Sequence, residues 1–416
     1  MSNLSELLPA GGAAKEFEVV ASGTLPNGKP VVMKSDGTVE VVAGSSTSVA
    51  ESIPAGSEVV FNSGASNYIS SSFDTNNANK FVIVYQDGGN SSYGRAIVGT
   101  VSGTSITFGS EYVFNSAVTY YTSVAFDPNT AGKFVVSYRD SANSNYGTAI
   151  VGTVSGTSIS FGSAVVFNSG NSHFNSISFD PNTAGKFVVA YSDSSNSWYG
   201  TAVVGTVSGT SISFGSEYVF NSTLSYELSM SFDPNTAGKF VVAYRSVSGS
   251  TGTCKAIVGT VSGTSLSYGS ATTFNSDHAY YISASFDPNT AGKFVVAYRD
   301  AGNSNYGTAI VGTVSGTSIS FGSEYVFNSS PTMYASVSFD PNTTGKFVVT
   351  YGDDGNSNYG TAIVGTVSGT SISFGSEYVF NSGTTYYSSI FFDPNTAGKF
   401  VVAFRDAGNS SYGTAI

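Results

Sequence analysis

A chain of 416 residues that is 40 % hydrophobic, 14 % aromatic and only 10 % charged is too apolar to remain unfolded. Its net charge of −11 leaves no basic stripe to neutralise phosphates, which argues against nucleic acid and against anionic membrane surfaces. The single cysteine, Cys254, cannot form an intrachain disulfide, and no apolar run reaches the roughly 20 residues of a membrane span.

The N-terminus, MSNLSELLPAGGAAKEFEVV, lacks a basic segment followed by an apolar one, so a secretory signal is not expected. Residues 1–44 read as a small β-rich module of short strands, EFEVVAS, KPVVMKS and TVEVVAG, joined at P-N-G-K and S-D-G-T, both strong hairpin signals. Such a piece buries little core alone. Residues 45–56, rich in Ser, Gly and Ala, read as a linker.

From residue 57 onward the chain repeats itself. The phenylalanine of an F-D pair falls at Phe73, Phe126, Phe179, Phe232, Phe286, Phe339 and Phe392, at intervals of 53 residues with one of 54. Each copy reads as four strands: A (ending in F-D), B (KFVVAY), C (TAIVGTV) and D (ISFGSEYVF). Pro288 and its counterparts fix φ in the A–B turn, and glycines supply the tight hairpins. No sustained 3.6-residue period marks a helix. Seven copies of about 50 residues predict an all-β, seven-bladed β-propeller of four-stranded antiparallel blades over 57–416. A parallel solenoid, with three strands in about 20 to 30 residues per rung, is the weaker alternative.

The count of strands tests this. The D signature S-x-x-x-F-N-S occurs seven times, starting at Ser57 before any strand A. The C–D turn V-S-G-T-S occurs six times, and the last copy stops inside strand C. The N-terminal SEVVFNS is therefore expected to pair with the last strand C and close the final blade, removing both free edges. That last strand is three residues shorter than its counterparts, as expected of a chain cut from a longer one.

Differences between copies carry information. The A–B turn is DPNTAGK in five copies and the C–D turn never varies. The D–A connection varies freely and the B–C connection less but clearly, and both should lie at the same edge of the blades. Variation gathered at one edge suits a rigid scaffold with one working surface. Six residues before each F-D phenylalanine stand Asn67, Tyr120, His173, Tyr226, Tyr280, Met333 and Tyr386. One position later stand Tyr68, Tyr121, Phe174, Glu227, Tyr281, Tyr334 and Tyr387, the column better suited to packing between blades. Tyrosine offers rigid area with one polar handle, the logic of a paratope and of stacking on carbohydrate. The expected contact set is the first column with Tyr68, Tyr121, Trp198, Arg139, Arg245, Arg299 and Arg405.

Catalytic chemistry is not expected. His173 and His278 have no cysteine, serine or acid partner at a motif spacing. Asp74, Asp127, Asp180, Asp233, Asp287, Asp340 and Asp393 open the A–B turns and read as turn-capping carboxylates. Asp87, Asp140, Asp193, Asp300, Asp353 and Asp406 each precede an asparagine by three residues. Calcium there is the weaker reading, because one carboxylate per loop is thin, and no cofactor is expected. A glycosidase needs a carboxylate pair at one pocket, and Glu227, Asp277 and Asp354 do not supply one.

The segment GTLPNGKPVVMKSDGTV (23–39) resembles the N-terminal region of tail-fibre and other virion proteins of aquatic tailed bacteriophages. The FDPNTAGKFVVAY repeats are similar to arrays in proteins of the same viruses. The resemblance implies a virion location, the N-terminal module docked to other virion proteins and the propeller displayed to a host-surface glycan or protein. A purely structural virion component is the alternative. A third reading, a hydrolase or lyase on the same scaffold, needs the missing carboxylate pair. Such fibres are often trimers, so a homotrimer is one expected assembly, although no coiled-coil heptads demand it.

Overall fold

The computed structural model describes residues 31–33, 38–41, 53, 56–249 and 251–416. The chain divides into two compact units, Met1–Glu51 and Ser52–Ile416. In the first, Val31–Met33 pairs antiparallel with Val39–Val41. The expected strand EFEVVAS, the P-N-G-K turn and nearly all of the expected linker lie outside the described residues.

The second unit is antiparallel β throughout. Strand B of each copy, such as Lys186–Asp193, pairs with strand C, here Tyr199–Ser208. Both read as unbroken apolar runs because they are covered on both faces: the B strand Lys80–Asp87 is buried at every position after Lys80. Strand D alternates buried with exposed residues, the pattern of a strand covered on one face. Among the described residues, helix is limited to three-residue 3-10 turns such as Ser194–Asn196.

One expectation is corrected. The D–A connections are not loops. In Ser105–Phe126, Ser211–Phe232, Ser318–Phe339 and Ser371–Phe392, strand D of one copy runs directly into strand A of the next. The reason is a hand-over of hydrogen-bond partners. Tyr199 of strand C pairs with Leu224, and Leu224 also pairs with Val247 of the next B strand. The backbone therefore keeps a partner without turning. In the fourth copy the segment breaks, into Thr272–Asn275 and Ala279–Phe286.

The core lies between copies. One cluster joins Val82, Val84 and Phe114 to Phe126 and Phe134 of the next copy. Another joins Phe73 and Phe81 to Phe391 and Val401 of the last copy. The chain ends meet in register, Gly413 with Asn62 and Thr414 with Val60, and Ser71 Oγ lies 2.7 Å from Ser389 Oγ. Within each copy the B-strand phenylalanine lies over a C-strand glycine: Phe187 pairs with Gly205, where an added Cβ would stand 2.1 Å from the Phe187 ring.

The unvarying turns hold one another. Asn129 Nδ2 donates to the Pro181 carbonyl of the next turn at 3.1 Å, and Asn289 to Pro341 at 3.2 Å. Gly109 leaves no room for a Cβ against the Thr157 carbonyl in the next V-S-G-T-S turn. Any change in such a turn would be felt by two copies.

Candidate functional site

The opposite edge begins with a backbone device. All seven residues of the packing column have positive φ, from 50° at Tyr68 to 55° at Glu227. Bulky side chains rarely adopt this region, and strain of about 1–3 kcal/mol per residue persists only where surroundings hold it. What holds it is a bulge: strand A loses register with strand B between Asn67 and Ser70, and at the same place in the later copies. The bulge sets these side chains against one another across copies.

The rings form a continuous series. Tyr121 meets Phe174 at 5.2 Å and Tyr68 at 5.2 Å. Tyr68 meets Tyr387 of the last copy at 5.5 Å. Tyr334 meets Tyr387 at 4.9 Å and Tyr281 at 4.6 Å. These tilted contacts suit aromatic quadrupoles. Burial raises the phenol of Tyr68 to about 12, with the neighbouring Tyr387 and Tyr121 adding to the shift. Burial likewise raises Tyr121, Tyr281 and Tyr387.

Glu227 interrupts the series. Its Oε2 accepts from the Tyr281 N–H at 2.8 Å. Burial raises its carboxyl above the ordinary value, opposed in part by that N–H and by the charge of Arg245.

The neighbouring column lies beside arginines. Strand register pairs Tyr120 with Arg139, Tyr226 with Arg245, Tyr280 with Arg299 and Tyr386 with Arg405. The Arg139 guanidinium lies 4.3 Å from the Tyr120 ring centre, and that of Arg405 lies 5.3 Å from Tyr386. In the remaining copies the pairs are Asn67 with Gln86, His173 with Ser192 and Met333 with Gly352. Tyrosine and arginine thus occur together or not at all, a co-occurrence visible in the sequence once positions 19 residues apart are compared.

His173 is buried between Arg139, whose Nη1 lies 3.2 Å from Nδ1, and Trp198, whose ring centre is 4.4 Å away. Burial, then the Arg139 charge, lowers its pKa to about 4, so the ring is neutral at neutral pH. Trp198 also meets Tyr226 at 5.6 Å. The structure thus gathers His173, Trp198, Tyr226, Arg139, Tyr120 and Tyr121 into one cluster. Tyr68 touches Tyr120 at 5.7 Å, Asn67 accepts from Arg405, and Met333 is half-buried beside Gly352.

The carboxylates of the B–C connections are already engaged. Asp193 Oδ1 accepts from the Ser195 N–H at 3.0 Å, and Asp300, Asp353 and Asp406 cap equivalent turns. Asn328 Nδ2 adds a bond to Asp353 at 3.1 Å. Among the described residues no group of three His, Cys, Asp or Glu side chains is placed to hold a metal ion.

No protein-family model and no curated protein matches the chain in sequence. Solved structures match it in shape. The BP39L lectin from Burkholderia pseudomallei superposes with a TM-score of 0.62 at 9 % identity, over 84 % of this chain and 94 % of the lectin. Chaetomium thermophilum Sqt1 bound to the N-terminus of the ribosomal protein L10 gives 0.51 at 12 % identity, over 85 % and 88 %. AofleA from Arthrobotrys oligospora gives 0.50 at 8 %, over 78 % and 90 %. At these identities the likeness concerns the fold alone, an all-β arrangement of antiparallel strands of propeller type.

Proposed function

We propose that this protein is a non-enzymatic, glycan-binding attachment protein that acts through the variable edge of its repeats. In this reading the seven copies are seven blades of one propeller over 57–416. Residues 1–44 dock to other proteins of a tailed-bacteriophage virion, and 45–56 link the two. The supporting observation is the girdle of half-buried tyrosines, with Trp198 and four arginines, at the edge where copies differ. Aromatic faces flanked by polar groups are what a sugar ring stacks on. The opposite edge is occupied by bonds between successive turns, which accounts for its constancy. A lectin shares the fold, which is compatible with this use of it.

A second reading has its own observation. Val60, Val113, Val166, Val219, Val326 and Val379 occupy one position of strand D and keep 39–45 % exposure. A structural virion component packing on neighbours would cover this repeated apolar position.

A glycan array and intact host cells probed with the full chain decide between them. The comparison is a variant with Tyr120, Tyr226, Tyr280 and Tyr386 changed to alanine. Binding that is lost in a folded variant supports attachment. Absence of binding by either protein favours the structural reading, and antibody labelling of particles by electron microscopy tests the virion location.

A further inference from the structure

The chain has five arginines. Arg95 is neutralised, with Asp87 and Glu111 each 2.9 Å away. The other four are the partners of the girdle tyrosines, and among the described residues none has a carboxylate within ion-pair distance. In a chain with 27 acidic residues, four arginines without an ion pair at one structural position require an explanation, although Arg245 does feel the Glu227 carboxylate.

Their present contacts are neutral and incomplete. Arg139 reaches His173 and, at 3.4 Å, the Asn171 amide oxygen. Arg405 donates to Asn67 and Ser411, and Arg299 Nε to Asn305. Arg245 lies between Tyr226 at 5.1 Å and Tyr280 of the next copy at 4.6 Å. It makes no hydrogen bond among the described residues. The Nε atoms of Arg139, Arg245 and Arg405 are buried without a partner.

Packing alone does not account for this. A cation–π contact of this exposure is worth roughly 0.5–1 kcal/mol. A buried donor left unmade costs about 1–3 kcal/mol, and more on a charged group. A neutral side chain would avoid that cost, and three copies do carry neutral residues here: Gln86, Ser192 and Gly352. Arginine stands only where a tyrosine is its strand partner. Stacking orients the guanidinium plane, and the paired oxygens of a carboxylate or sulfate would replace its weak neutral partners with charge-assisted ones.

We infer that the four Tyr–Arg pairs are repeated subsites for the anionic groups of an acidic glycan, a polysaccharide carrying carboxylate or sulfate. The inference rests on the glycan-attachment reading and names its ligand class. Each site takes one acidic group on the guanidinium, with the adjoining sugar ring against tyrosine. The fourth and fifth copies place two sites side by side, with Tyr280 touched by both Arg245 and Arg299. A polymer with closely spaced charges engages several sites at once, so weak individual contacts multiply.

The test is calorimetric titration of the full chain with polygalacturonate, dextran sulfate, neutral dextran and a single-stranded oligonucleotide. At least one acidic polysaccharide is expected to bind about tenfold or more tighter than dextran, and the oligonucleotide to bind weakly. Raising salt from about 50 to about 500 mM should weaken the acidic glycan by a similar factor. Arg299→Gln should weaken it about tenfold, and Arg299→Lys should recover only part of the loss, because the ammonium keeps the charge without the fork. The salt response of the unaltered chain is an independent readout should a variant fold poorly. Equal binding of dextran, or Arg299→Gln and Arg245→Gln binding like the parent, overturns the anionic subsites while leaving glycan attachment intact. Equal binding of the oligonucleotide overturns them as glycan sites. Failure of every glycan, here and on the array, overturns the attachment reading with them.

Discussion

The carboxylate of Asp127 joins two copies of the repeat through Gly185. Its Oδ1 accepts from the Asn129 N–H of its own turn at 2.9 Å, and its Oδ2 accepts from the Gly185 N–H, 58 residues further on, at 3.1 Å. Asp74 makes the same bond to Gly132, and Asp340 to Gly398. The carboxylate thus caps its turn and latches the next one. Asp127→Asn keeps the first acceptor but turns a donor toward Gly185. A buried hydrogen bond to a charged group is worth about 1.5–3 kcal/mol, so a loss of about that size is expected. The denaturant midpoint measures it, and an unchanged midpoint would remove the latch from the account.

Gly205 and Gly209 should respond differently to alanine. At Gly205 the added Cβ would stand 2.1 Å from the Phe187 ring, which is fully buried and cannot retreat. Gly209 has φ +63° in a turn with nothing within 4 Å. Gly205→Ala should cost about 3 kcal/mol or more through overpacking, and Gly209→Ala about 1 kcal/mol through backbone strain. Thermal unfolding of the two variants side by side gives the comparison, and equal shifts would contradict it.

Glu227 carries a pH signature. Its folded-state carboxyl pKa lies above the ordinary value of 4.5, so folding favours the protonated form. The resulting penalty is absent below the unfolded pKa and grows as pH rises through the folded one. Glu227→Gln, which keeps an acceptor for the Tyr281 N–H, should therefore stabilise the protein at pH 7 relative to the parent, and that gain should vanish as pH falls below the ordinary carboxylate value. Stability curves that stay parallel across this range would refute the assignment.

His173 behaves in the opposite direction. Its pKa falls from 6.5 to about 4 on folding, so the neutral ring is favoured. Stability is unaffected above pH 6.5 and declines as pH falls from 6.5 to about 4, where the unfolded chain takes up the proton first. His173→Asn, the residue type found in the first copy at Asn67, should remove this acid sensitivity, which the shift bounds at about 3 kcal/mol and solvent screening of the ring reduces. Titration of the imidazole by NMR checks it directly, and a midpoint near 6.5 would count against the buried cluster.

Whatever depends on short-range chemistry can be read from the chain alone. Fifty-three-residue copies, apolar B and C strands, and turns such as DPNTAGK and VSGTS are local patterns, legible because backbone preference and alternation act within a few residues. The match of SEVVFNS to the unpaired last strand C was legible too, because a missing strand is a matter of counting. The rest depends on partners far apart in the chain. Strands D and A look like two elements around a variable loop, yet they form one strand, because the hydrogen-bond partner changes at Leu224 rather than the direction of the chain. The left-handed backbone at Tyr68 and its six counterparts follows from the bulge between strands A and B, which no pattern of neighbouring residues announces. Tyr120 and Arg139 stood in view as separate candidates, and only the A–B register lays one on the other. Register is set by the bulge and the packing of whole sheets, a long-range balance that no window of neighbouring residues contains.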